Sequence, residues 1–189
     1  MTTAEAPSPP RRAGWLAAPL VVAAAVVAGL YVFGTQHTPN YSTSLFGQTA
    51  ADTLPLKSWL GTALLGLAGM QLLLALWMYG RIPGLGAARR VAGGHRLVGL
   101  AALLLSLPIA YHCAFAYGVQ TNIDTRIAVH SLAGCFLYGA FAAKVTIVRA
   151  RRLPGWTLPV AGGLLVTLVA VLWYTSGLWY FNDYSLPSL

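Results

Sequence analysis

Five long apolar stretches leave this chain few ways to fold. They span roughly residues 15–34, 56–79, 94–118, 126–148 and 157–181. Each approaches the roughly 20 residues that a helix needs to cross a bilayer. Only 8% of the 189 residues are charged, against roughly 25% in a soluble domain. Such a chain has too little polar surface to face water. The expected fold is all-α, a polytopic transmembrane bundle of five membrane-spanning helices. The first stretch exceeds the roughly 7–15 apolar residues of a signal peptide, and no A-x-A site follows it, so it reads as an anchor. Residues 1–14, polar and Pro-rich, read as a disordered cytoplasmic tail, 35–55 as an outer loop and 182–189 as an outer tail. No internal repeat is visible along the chain.

The 12 Lys and Arg outnumber the 4 Asp and Glu, for a net charge of +8. On a soluble protein that balance would suggest a nucleic-acid partner. Here it sorts by side of the membrane. Arg11, Arg12, Arg81, Arg89, Arg90, Arg96, Lys144, Arg149, Arg151 and Arg152 fall on one side of a five-crossing topology, and only Lys57 and Arg126 on the other. Positive-inside bias then puts the N-terminus in the cytoplasm and the C-terminus outside the cell membrane. The expected partner is the bilayer, with no nucleic acid. The two cysteines, Cys113 and Cys135, lack zinc spacing. Their depths differ by about 9 Å, beyond the reach of a disulfide, about 7 Å, so both read as packing residues.

Of the four histidines, His37 lies in the outer loop, where an exposed imidazole needs no special account. His112, in "PIAYHCAFAYG", lies about 9 Å of helix below the outer end of the third stretch, and His130, in "RIAVHSLAG", about 6 Å below the same surface on the fourth. A short connection makes the two helices plausible antiparallel neighbours. Two imidazoles facing each other at one depth suit the two axial positions of a haem iron. Gly134 and Ala116, one turn from the ligands on the same faces, would leave room for the ring, and Pro108 would bend the helix below His112. Arg126, one turn outward of His130, would pair with a propionate. The alternative is structural: two intramembrane histidines can simply bond one another, for roughly 0.6 kcal/mol. A zinc site wants three or four ligands, and no carboxylate lies at this depth. His95, about 25 Å along the helix from His112, belongs to the inner interface beside Arg96. With Lys144 it forms a possible inner-face contact for an anionic or quinone head group. Snorkelling is the simpler reading of Lys144.

The run "GGHRLVG … LPIAYHCAFAYG … RIAVHSLAGCFLYGAFAAKVTIVRARRLPGW" resembles a family of small actinobacterial multi-pass membrane proteins of unknown function. More loosely, the third and fourth helices are similar to those of cytochrome b561-like and ferric-reductase-like proteins. That resemblance implies b-type haem held by His112 and His130, with one haem rather than the two usual in those families. The expected role is a membrane-bound electron carrier or redox subunit with one haem b near the outer face. It would work between a quinol and an outer-face redox protein; if it is an enzyme, it is an oxidoreductase or part of one. The alternatives are a cofactor-free structural or assembly subunit, and a small transporter using Lys144 and His95.

Overall fold

A computed structural model describes residues 14–150 and 153–187. The expected tail over residues 1–14 lies almost wholly outside the described residues, as do Arg11, Arg12, Arg151 and Arg152. Five helices are long and apolar enough to cross a membrane. They are α1 (Gly14–Gln36), α2 (Ala50–Met78), α3 (Ala92–His112), α4 (Thr125–Arg149) and α5 (Thr157–Trp173). The chain is a multi-pass membrane protein with an all-helical fold. Its apolar surface agrees with that. Leu97, Leu100, Leu104, Leu107 and Tyr111 form an exposed stripe down α3, spaced three and four residues apart so that they share one face. In water that stripe would be a liability; against lipid it is the natural surface.

The helices end for local reasons. Asp124 caps α4, its carboxylate accepting from the Ile127 amide at 2.7 Å. α2 begins at Ala50, inside the segment expected to be loop. Thr49 donates to the Asp52 carboxylate at 2.8 Å, and Thr-x-x-Asp before an apolar run is a helix-start signal. Pro55 forfeits one amide bond within α2 without ending the helix. At the same end of the molecule, α3 and α5 each finish in a wide turn, Cys113–Tyr117 and Tyr174–Leu178. Such π-type turns displace the regular amide–carbonyl pairing and free carbonyls for other donors.

α2 packs against α3 and α5, and α4 against α5 and α1. α1 comes close to α4 because residue 139 is glycine. A Cβ there would meet Val27 Cγ2 at 2.5 Å and the Ala23 carbonyl at 2.9 Å. Small residues at such crossings let membrane helices approach closely. α3 and α4, expected to be close neighbours, instead face one another across a gap. Leu64, Ala68, Leu137 and Val169 form the core between the other contacts.

The arrangement also corrects the reading that the chain has no repeat. The hairpin α2–α3 and the hairpin α4–α5 are two copies of one design. Lys57-Ser58, Gly61, Leu64 and Gly66 on α2 match His130-Ser131, Gly134, Leu137 and Gly139 on α4, each pair 73 positions apart. The second helices match with a spacing of 63 positions, from Gly99 and Gly162 to the tyrosines Tyr111 and Tyr174. The two spacings differ by 10 positions, of which the longer connection within the first hairpin, 79–91 against 150–156, accounts for six. That difference hides the repeat from a search at one fixed period. Both hairpins start at the same end of the bundle, so a pseudo-twofold axis runs along it.

Candidate functional site

The inner faces of the two hairpins enclose two adjoining cavities. The first, about 150 Å³, lies toward the end that carries the 37–49 loop. The second, about 110 Å³, lies toward the arginine-rich end. Leu64, Ser106, Leu137, Tyr138 and Val169 line both. The repeat sets the walls. The α3 positions 99, 102, 103, 106, 109, 110 and 113 each have a counterpart 63 positions on in α5 that also lines a cavity. On α2 and α4 the lining stripes 57, 61, 64, 68, 71 and 130, 134, 137, 141, 144 correspond in the same way.

His130 lines the first cavity, about five residues into α4 and so roughly 8 Å from its start. Its Nδ1 lies 2.9 Å from Thr175 Oγ1. The single Thr175 hydroxyl proton is engaged by its own helix, 2.8 Å from the Val171 carbonyl and 3.2 Å from that of Leu172. The threonine oxygen must therefore accept, and His130 must carry its proton on Nδ1. That leaves Nε2 with a lone pair and no protein partner among the described residues. An imidazole held by one nitrogen and open at the other is arranged as a ligand or proton acceptor.

Lys57 is the repeat counterpart of His130 and lines the same cavity. Its Nζ sits 4.6 Å from the centre of the Tyr117 ring. Most other polar groups here are already engaged. Ser58 donates to the Leu54 carbonyl, Ser106 to that of Leu103 and Ser176 to that of Leu172. Tyr138 reaches across the gap from α4 to Ser106 Oγ at 3.0 Å, and Trp173 forms an aromatic wall, its indole donating to Thr62 Oγ1 at 2.9 Å. Residues 61 and 134 are glycines with open space where a Cβ would stand. The cavity thus offers one acceptor from one hairpin, one ammonium from the other, and apolar walls.

His112 does not share this cavity. It is 2% exposed, and its Nε2 donates to the Thr43 carbonyl at 2.9 Å. Its Nδ1 is buried without a partner. The expected two-histidine clamp is therefore not formed: the His112 ring faces the 37–49 loop. His37 is part of the same clasp rather than a free surface residue. It donates to the Phe115 carbonyl at 3.2 Å and stacks on Phe33, while the Asn40 amide donates to that carbonyl also, at 3.2 Å. Ala116, expected to leave room for a ring, is 1% exposed and lines neither cavity. Gly134 lines the first. Arg126, expected at a propionate, donates to the Thr175 carbonyl at 2.9 Å and stacks on Trp179 at 3.9 Å. A cavity of this size holds a benzene ring (~150 Å³ suffices), far less than a haem macrocycle. The arrangement does not fit a haem between His112 and His130.

At the arginine-rich end, Lys144 and Gln71 line the second cavity and are counterparts in the repeat. Gln71 also donates to the His95 carbonyl, tying α2 to α3. The His95 Nδ1 is buried and unpaired, but His95 lines neither cavity. Lys144 lies within electrostatic reach of His95, while Arg96 points to the surface as an exposed residue. Cys113 and Cys135 are free thiols; Cys113 lines the first cavity, beyond the packing role expected of it. No cluster of three or more His, Cys, Asp or Glu occurs among the described residues. Lys57, Trp173 and Tyr138 are the site residues that sequence reasoning passed over or left unassigned. The signal for Lys57 was its place on the same helical stripe as Gln71.

A family of unknown function, DUF6529, matches residues 16–188. No curated protein and no solved structure matches the chain.

Proposed function

We propose, for a chain that belongs to the DUF6529 family of unknown function, that it is a membrane-embedded redox subunit binding a quinol in the cavity between its two hairpins. The observation that carries this reading is the His130–Thr175 contact, 2.9 Å from Nδ1 to Oγ1, with no hydrogen-bond partner on Nε2 among the described residues, at a cavity sized for one aromatic ring. A para-quinol carries two oxygens on opposite sides of its ring. The site matches it with one polar side chain from each hairpin at equivalent positions, His130 and Lys57. One quinol hydroxyl donates to His130 Nε2. The other lies on the Lys57 side, where an ammonium favours its ionised form.

Oxidation releases two protons and two electrons. His130 takes one proton at Nε2, and Thr175 steadies the resulting imidazolium through Nδ1. The second proton leaves to water at the nearby end of the bundle. The electrons pass singly to a redox protein docked outside the membrane. Trp173 and the leucine walls exclude water from the ring.

A haem is the competing occupant, in line with the looser resemblance to cytochrome b561-like proteins. The separation of α3 and α4 favours it; the His112–Thr43 bond and the cavity size oppose it. A transporter is disfavoured for a reason other than missing repeats, since repeats are present. The second cavity is walled almost entirely by apolar side chains and offers an ion few partners. The test is titration of the purified protein in lipid nanodiscs with a tailless quinol analogue, followed by the part of the tryptophan fluorescence that is lost in Trp173→Phe. Saturable binding, weakened about tenfold by His130→Ala (~1.4 kcal/mol) and unchanged by His112→Ala, supports the proposal. A b-type absorbance band after haem-supplemented expression, lost in both alanine variants, would overturn it in favour of haem.

A further inference from the structure

We infer that the second cavity receives the first part of the tail of the same ligand, so that the natural occupant is a quinol carrying an isoprenoid chain rather than a small soluble aromatic. This rests on the quinol reading of the first cavity. The two cavities share five lining residues and run on from one another along the bundle. From His130 to Lys144 the slot follows α4 for 14 residues, about 21 Å, which is most of a bilayer's hydrocarbon.

The lining changes along that path. Polar side chains gather at the His130 end. Beyond Tyr138 the walls are mostly small or apolar, among them Ala68, Gly99, Ala102, Phe141 and Gly162, with Gln71 a polar interruption; such a lining suits a flexible hydrocarbon chain. An empty space there leaves the wall atoms without packing partners. A Cβ on Gly162 would meet nothing within 4 Å, whereas one on Gly99 would meet the Gln71 side-chain amide at 3.0 Å. At the far end Lys144 lines the slot. A head group alone would leave this cavity unfilled. A chain attached to the ring in the first cavity fills it without a turn.

The experiment compares a tailless quinol with the same head carrying several isoprene units. Both are titrated into the full chain in nanodiscs, with ligand expressed per lipid to remove simple partitioning. Tail binding predicts at least tenfold tighter association of the long ligand. Gly162→Phe should bring its affinity down to the tailless value while leaving the tailless ligand unchanged, and Gly162→Val should fall between. Equal affinity of both ligands in the unaltered protein overturns the tail site and leaves the head site standing. Equal loss for both ligands in Gly162→Val also overturns it. Binding of neither ligand overturns the quinol reading itself, and the tail site with it.

Discussion

Thr175 shows how one hydroxyl decides the chemistry of another residue. Its proton is held by the Val171 carbonyl, so it can only accept from His130. Thr175→Val should remove that acceptor, leave a buried N–H unsatisfied at a cost of about 1–3 kcal/mol, and weaken tailless-quinol binding about tenfold. Thr175→Ser should restore it. Binding titration of the two variants side by side checks this, because a purely steric role would favour valine over serine. His112 sits at the position equivalent to Thr175 in the other hairpin, and it too serves as a tie, to the Thr43 carbonyl. His112→Ala should cost about 1–2 kcal/mol and speed hydrogen exchange over residues 38–48, with quinol affinity unchanged. That an intramembrane histidine had a task was legible from its residue type in an apolar run. Which partner it had was not, because only about 100° of helix rotation separates the cavity-lining Cys113 from His112.

Among the elements, the wide turns at the ends of α3 and α5 place more of the site than any single helix. The turn Tyr174–Leu178 directs the Trp179 amide to the Ser176 carbonyl, leaving the Thr175 carbonyl for Arg126. The turn Cys113–Tyr117 closes with the Gly118 amide on the Cys113 carbonyl at 3.1 Å. Gly118 then takes φ +69°, and a Cβ there would stand 2.5 Å from the Gly34 carbonyl. Gly118→Ala should destabilise the protein by at least ~1–2 kcal/mol from the left-handed backbone alone. A lowered thermal midpoint in detergent, with the 37–49 loop opening to protease first, is the expected result. The helices were legible because a long apolar run carries its own length scale. The wide turns were not: "CAFAY" and "YTSGL" contain no proline and no distinctive spacing, and only tertiary donors make the freed carbonyls useful. The start of α2 was legible in principle, in "TAAD", and was missed because Pro55 read as a boundary.

On the scale of the whole molecule, the repeat organises everything else. Two hairpins supply matched walls, and the polar positions that differ between them, Lys57 against His130 and Gln71 against Lys144, give one slot two distinct ends. The charge asymmetry predicts an orientation for that slot in the membrane, and the prediction is testable. With Cys113 and Cys135 replaced by alanine, a cysteine at Gly84 should react with an impermeant thiol reagent only from the cytoplasmic side. A cysteine at Ser185 should react only from outside. The reverse pattern would place His130 near the cytoplasm.

The sequence by itself determined that the chain lives in a membrane, how many times it crosses, and which end gathers the arginines. Those properties depend on composition along the chain, which no packing alters. It also contained the repeat, in "KSWLGTALLG" and "HSLAGCFLYG", but the two helix pairs are offset by different amounts, which hid it. Only the tertiary structure decided that His112 faces a loop and His130 a cavity, because facing depends on how α3 and α4 rotate about their own axes. Depth along a helix is a linear quantity and can be counted. Direction around a helix is set by what packs against it.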